Sequence, residues 1–225
     1  MTLLQIVAAD SLGNAAAQES VSVLDLLSKG GWTMIPILLL SIVAVYIFVE
    51  RLLTLQRASK LPKTFIDQIK KMVLDGDIQG AKALCIQVNS PTAKMIEKGI
   101  SRLGSSLKNI EASIENVGRI EIYKLEKNLN VLATISGAAP MLGFFGTVLG
   151  MIQAFMAIAQ EEGSVSPKLL SSGIYEAMVT TAAGLFVGII AYIGYNYLIT
   201  RVQKVIHRME YNSIEFVDLL QEPNK

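Results

Sequence analysis

Glu176 is the only charged residue within three long apolar stretches of this chain. A carboxyl group in a membrane-spanning helix carries an insertion penalty of about 2.5 to 3.5 kcal/mol, so it normally faces a protein interior or a water-filled path. No Lys or Arg lies in the same stretches to pair with it. It must therefore be neutral, hydrated or matched by another chain, and a carboxyl group in apolar surroundings could exchange protons. Thr180 and Thr181 follow it by one to one and a half helical turns, and Thr147 lies in the preceding apolar stretch. A threonine hydroxyl both donates and accepts, so it can line a hydrated path or pass a proton along a hydrogen-bonded chain. Its plainer role in a membrane helix is a bond back to its own backbone. One proton crossing the membrane potential releases about 2.3 kcal/mol per 100 mV, enough to bias a conformational equilibrium.

These side chains need helices long enough to hold them in a bilayer. Residues 30–49 and 128–160 carry no charge, and residues 169–200 carry only Glu176. Each stretch reaches the length of about 20 residues that spans a hydrocarbon core. A chain of 225 residues that is 52% hydrophobic and 17% charged, with mean hydropathy +0.46, departs from soluble domains in the same direction. The fold class is an all-α membrane protein, three transmembrane helices with long cytoplasmic helical extensions. Its expected segments are a periplasmic N-terminal segment (1–29), transmembrane helix 1 (30–50), a cytoplasmic helical domain (51–127), transmembrane helix 2 (128–160), a periplasmic loop (161–168), transmembrane helix 3 (169–200) and a cytoplasmic C-terminal helix (201–225).

Orientation follows from the flanking charges. Asp10, Glu19 and Asp25 precede the first span with only Lys29, whereas Arg51, Arg57, Lys60 and Lys63 follow it. Glu161 and Glu162 with Lys168 separate spans two and three, and Arg201, Lys204 and Arg208 follow the third. The positive-inside rule puts the N-terminus outside and the C-terminus in the cytoplasm.

Small residues recur every three or four positions in span two, at Ala139, Gly143, Gly146, Gly150, Ala154 and Ala157. Span three has Gly173, Ala177, Thr181, Gly184, Gly188 and Ala191. Lipid tails are as apolar as leucine, so membrane helices associate through the close backbone approach that such residues permit. An oligomer or a tight bundle is expected, and two helices packing within one subunit would also satisfy the pattern. Counted from the outer ends of the two helices, Thr147 and Thr181 are each about 13 residues in, roughly 20 Å. Glu176 falls roughly 7 Å nearer the outside.

Between spans one and two, Asp75-Gly76-Asp77, Asn89-Ser90-Pro91 and Gly104-Ser105-Ser106 cut the chain into short helices. After Ser106 a helical apolar spacing, broken at Glu121, predicts one uninterrupted helix from Leu107 to Gln160, on the order of 80 Å long. Beyond span three, Val202, Val205, Met209, Phe216 and Leu220 form a stripe that needs a packing surface, in this subunit or its neighbours.

Other chemistry is missing. The sequence has no phosphate loop, no His/Cys cluster with metal spacing and no nucleophile elbow. No catalytic residue, metal or cofactor is expected, and a net charge of +1 gives no basis for a nucleic-acid partner. The single His207 sits among juxtamembrane cations, where a solvated or lipid-facing place is expected. Cys85, the only cysteine, cannot form an intrachain disulfide. An N-terminal apolar run without a basic lead-in makes a poor signal peptide, so cleavage is not expected.

The run from Pro140 to Ile152, with Gly143, Gly146, Thr147 and Gly150, resembles the second-span signature of the ExbB/TolQ/MotA proton-channel family. The run from Gly173 to Leu185, with Glu176, Thr180, Thr181 and Gly184, resembles its third-span signature. Residues 190–197 depart from many relatives by lacking a proline. The resemblance implies a pentamer in a Gram-negative inner membrane, enclosing the single helices of an ExbD-like partner whose aspartate is the main proton carrier. It further implies that Thr147 and Thr181 face the pore and that Glu176 is the family's third-span glutamate. ExbB-type relatives drive a TonB-like protein that opens outer-membrane transporters, whereas TolQ-type relatives energise envelope integrity. A passive scaffold and a substrate transporter are the rival classes. The three spans show no inverted repeat or broken helix of the transporter kind.

Overall fold

A computed structural model describes residues 31–62, 64–160 and 167–221. The expected periplasmic segment, most of the 161–168 loop and the last four residues lie outside the described residues. So does the region of the cleavage expectation.

Among the described residues there are seven helices and no strand. Helix α1 is Met34–Ala58, α2 Phe65–Leu74, α3 Ile78–Val88, α4 Pro91–Ile100, α5 Leu107–Glu126, α6 Leu129–Gln160 and α7 Pro167–Gln221. Helices α1, α6 and α7 are long and apolar enough to cross a membrane. The all-α membrane class read from composition is therefore the class of the fold. The first span runs on past residue 50 without a break, and the third continues to Gln221 as one helix of 55 residues.

The chain forms two units. One contains residues 38–141 and 185–221. Its core joins the lower part of α1, helices α2 to α5, the start of α6 and the end of α7 through buried Phe65, Ile69, Ile96, Ile100, Ile114 and Phe216. The turn clusters separate the short helices as expected, although Ser106, at the N-cap position of α5, makes no side-chain capping bond. Asp77 accepts the Gly80 N–H and Ser90 the Ala93 N–H, capping α3 and α4, and Asn89 takes the left-handed conformation that ends α3. The stripe at Val202, Met209 and Phe216 is buried on this chain's own helices, answering the packing question raised by the sequence.

The expected continuous helix over residues 107–160 is interrupted. It breaks at Lys127 and Asn128, where Asn128 has φ 63°. That interruption takes the helical N–H partner from the Lys124 carbonyl. Arg51, 5% exposed, supplies a replacement, its Nη1 donating to Lys124 O at 2.9 Å while Nε donates to Glu50 Oε2 at 2.7 Å. On the same face Glu121, which interrupts the apolar spacing, is buried and ion-paired to Lys124 at 2.6 Å and Lys94 at 3.4 Å. Farther along α6, Pro140 lacks an N–H for the Ser136 carbonyl. Gly188 packs on this spot so closely that a Cβ there would lie 2.5 Å from Pro140 Cγ and 3.0 Å from Ser136 O.

The other unit contains residues 31–37 and 142–184. It holds every residue singled out for chemistry.

Candidate functional site

Close backbone contact builds this site. A Cβ on Gly143 would meet the Thr180 carbonyl oxygen at 2.9 Å and the Gly184 Cα at 3.2 Å. A Cβ on Gly150 would meet the Ala177 Cβ at 3.0 Å, and one on Gly173 the Ala154 Cβ at 2.7 Å. The two small-residue stripes thus face each other within a single chain. Gly143, Gly146, Gly150 and Gly184 hold the α6–α7 hairpin together, and Gly188 performs the same service against Pro140 in the other unit.

This pairing sets the relative depth of the polar groups. Since Gly143 faces Thr181 and Gly150 faces Ala177, Thr147 lies between Glu176 and Thr181 rather than level with the latter. The offset from Thr181 is roughly 4 Å toward the α6–α7 connection, less than one turn. Glu176, Thr147 and Thr181 follow one another along the hairpin in that order.

Each threonine hydroxyl donates to backbone. Thr181 Oγ1 donates across the helix pair to Gly143 O at 2.9 Å. Thr180 Oγ1 donates to Ala177 O at 2.7 Å, and Thr147 Oγ1 to Phe144 O in its own helix. Thr147 and Thr181 are half-buried, whereas Thr180 is 1% exposed. Thr180 therefore sits inside the helix packing while the other two reach the chain's surface. A hydroxyl that donates to a carbonyl keeps lone pairs for accepting, so water or a neighbouring acid can still bond to Thr147 and Thr181.

Glu176 is half-buried and joins none of the ion pairs among the described residues. Its carboxylate rests against Gly31, where a Cβ would fall 1.7 Å from Oε1. Gly31 has φ 62°, a conformation that favours glycine, immediately before α1 begins. Thr33 approaches Gly146 of α6. A Cβ on Gly146 would lie 2.9 Å from Thr33 Oγ1 and 2.6 Å from Thr180 Oγ1. Sequence reasoning missed both Gly31 and Thr33. Their only signal was a glycine pair and a hydroxyl at the mouth of an otherwise apolar span.

Helices held by small residues, carrying one carboxyl group and two surface-reaching hydroxyls, define the class: a membrane protein with an ionisable group in its spans. The chain belongs to the MotA/TolQ/ExbB proton channel family, whose family model matches residues 87–211. It is 27% identical over 194 residues to the biopolymer transport protein ExbB homolog of Methanothermobacter thermautotrophicus, covering 84% of this chain and 67% of that protein. It is 30% identical over 186 residues to the Tol-Pal system protein TolQ of Haemophilus influenzae, covering 73% of this chain and 77% of that one. The biopolymer transport protein ExbB of Neisseria meningitidis serogroup A is 28% identical over 176 residues, covering 72% of this chain and 78% of its own.

Proposed function

We propose that this chain is the channel subunit of an inner-membrane proton motor. With an ExbD-like single-span partner, it would couple the proton-motive force to a TonB-like protein and so to outer-membrane transport. The observation that carries this reading is the succession of Glu176, Thr147 and Thr181 along one closely packed hairpin, within a proton channel family. The chain offers one acid and two hydroxyls whose donors are already bonded. A proton crossing this surface needs an additional acceptor, and an acid on the partner's helix would supply it. Glu176 then orients or tunes the path, and Thr147 and Thr181 accept hydrogen bonds from water or from the partner's acid. Buried Thr180 stiffens the hairpin.

Assembly into a homo-oligomer, a pentamer by family resemblance, is supported by the surface left over. Only 22%, 22% and 28% of the most apolar windows of the three spans are buried within the chain. Beyond the three long apolar stretches, Ile120, Tyr123, Tyr211 and Ile214 are 55 to 76% exposed. Lipid and neighbouring subunits would cover these surfaces. The orientation remains the one the flanking charges indicate, with the C-terminus in the cytoplasm.

The match to TolQ over 77% of that protein favours a second reading, a TolQ-like subunit energising envelope integrity. Deleting the gene in its host separates them. Loss of growth on a siderophore as sole iron source, with normal detergent resistance, supports the first reading; detergent sensitivity with normal uptake supports the second. A deletion with neither defect would leave a passive scaffold and contradict both.

A further inference from the structure

The groove between α1 and α7 changes character once along its length. Its first part, about 530 Å³, is walled by side chains such as Ala44, Val45, Phe48, Ile190 and Ile193. Its second part, about 360 Å³, is lined by Lys60, Arg201, Lys204 and Arg208 together with Gln56 and Ser59. Leu52 and Tyr197 border both parts. On each helix the apolar lining precedes the basic lining in sequence, so the two form one channel that passes from apolar to cationic at Tyr197.

No acid among the described residues neutralises these cations: none of the four is in an ion pair, and no acid lines the basic part. Arg208 Nη1 donates to Ser59 Oγ at 3.2 Å. Arg201 leans on the Tyr197 ring, 5.2 Å from its centroid, and donates to its hydroxyl at 2.9 Å. Neither bond neutralises a charge. Arg201, Lys204 and Arg208 recur at three- and four-residue spacing, which places them on one side of α7.

The dimensions select an occupant. From Phe186 to Tyr197 the apolar wall is about 17 Å long at 1.5 Å per residue. That is close to half of a hydrocarbon core about 30 Å thick. A ligand filling the channel must present an apolar tail of one leaflet's depth and an anion at its end. An apolar helix would fill the first part but bring no charge to the second.

We propose that this channel is a binding site for one anionic glycerophospholipid, with an acyl chain between α1 and α7 and its phosphate among Lys60, Arg201, Lys204 and Arg208. Arginine suits a phosphate because its planar fork donates two parallel hydrogen bonds. Tyr197 marks the boundary between tail and headgroup, the level at which amphipathic aromatic rings collect. The bound lipid would tie the first span to the third where the third leaves the membrane.

The test reconstitutes the full-length protein in vesicles of equal phosphatidylglycerol and phosphatidylcholine, re-extracts it in mild detergent and identifies retained lipid by native mass spectrometry. Phosphatidylglycerol should be enriched about fivefold over phosphatidylcholine, as a net gain from even one surface cation would give. The triple substitution R201Q/K204Q/R208Q should abolish the enrichment. Val45→Trp, at an exposed position in the apolar wall, should reduce retention of both lipids, and Ile193→Trp serves as a second groove variant should the first not fold. Enrichment that survives the triple substitution would overturn the proposal. Retention undiminished by a groove tryptophan would reduce the effect to headgroup adsorption and also overturn it. A groove tryptophan that changes subunit number in size-exclusion chromatography would assign the channel to a second copy of the chain, again against the proposal.

Discussion

Gly31 and Glu176 are in contact across the start of the first span: no Cβ could stand on Gly31 without meeting the Glu176 carboxylate, only 1.7 Å away. The contact links the one charged residue of the three long apolar stretches to a backbone position with φ 62°. Neither residue explains its surroundings alone.

Gly31→Ala should therefore destabilise the protein twice over. The left-handed backbone disfavours alanine by roughly 1–2 kcal/mol, and the new methyl group must displace the carboxylate. In a Glu176→Ala background the second effect disappears. Melting curves of the two single variants and the double variant should show a smaller loss from Gly31→Ala when Glu176 is absent. Equal losses in both backgrounds would mean that the contact has no energetic consequence.

Gly143 tests the hairpin. Its missing side chain lets α6 approach the Thr180 carbonyl and Gly184 of α7, and Thr181 donates into that contact. Gly143→Val should separate the helices and lower stability by about 1–3 kcal/mol, the usual range for overpacking. Met141→Val, at a position 74% exposed, serves as the control and should leave the melting temperature nearly unchanged.

Much of this arrangement was legible in the sequence. Charge-free runs of span length, small residues every third or fourth position, and Asp77, Ser90 and Asn89 at turns each have a local physical cause, so the three spans, the existence of two close-packing faces and the short-helix boundaries follow from the chain; that the two faces meet within one subunit does not. The interruption at Lys127 and Asn128 was not legible. No proline or glycine marks it, and Arg51, the side chain that satisfies the exposed carbonyl, lies 73 positions away. Gly31 and Thr33 were missed for a related reason. Their partners belong to other helices, and one chain's periodicity says which face is packed without saying against what. Counting from helix ends puts Thr147 level with Thr181 because it ignores the stagger that packing imposes.

Arg51 should be difficult to replace. Arg51→Gln removes the charge that pairs with Glu50 and weakens the cap on Lys124 O. Arg51 is buried but Glu50 is only half-buried, so losing these charged hydrogen bonds should destabilise by about 1.5–3 kcal/mol. Arg51→Lys keeps the charge but cannot serve carboxylate and carbonyl with one planar fork, so partial recovery is expected. Thermal melting of the purified protein would rank the three as wild type, then lysine, then glutamine.

Cys85 gives a pH dependence. Burial, with the nearby charge of Glu97 adding to it, pushes its thiol up to about 12. An unfolded cysteine ionises near 8.5, so above that pH the unfolded chain binds fewer protons than the folded one. The contribution to stability is intact below about 8.5 and is lost as pH rises toward 12. Maleimide labelling at pH 8 should be slow in the folded protein and rapid in denaturant. Fast labelling of the native state would show the thiol to be accessible.

The proton pathway itself is tested most directly by flux. Liposomes containing the chain with its single-span partner, and liposomes containing the chain alone, would be loaded with a pH-sensitive dye and given a potassium-diffusion potential. The expected result is proton entry only when the partner is present, reduced about tenfold or more by Thr181→Val and also lowered by Glu176→Ala, with assembly intact in both; a tenfold change corresponds to 1.36 kcal/mol on the barrier. Equal flux in wild type and both variants, or flux independent of the partner, would contradict the assignment of Glu176, Thr147 and Thr181 to the path.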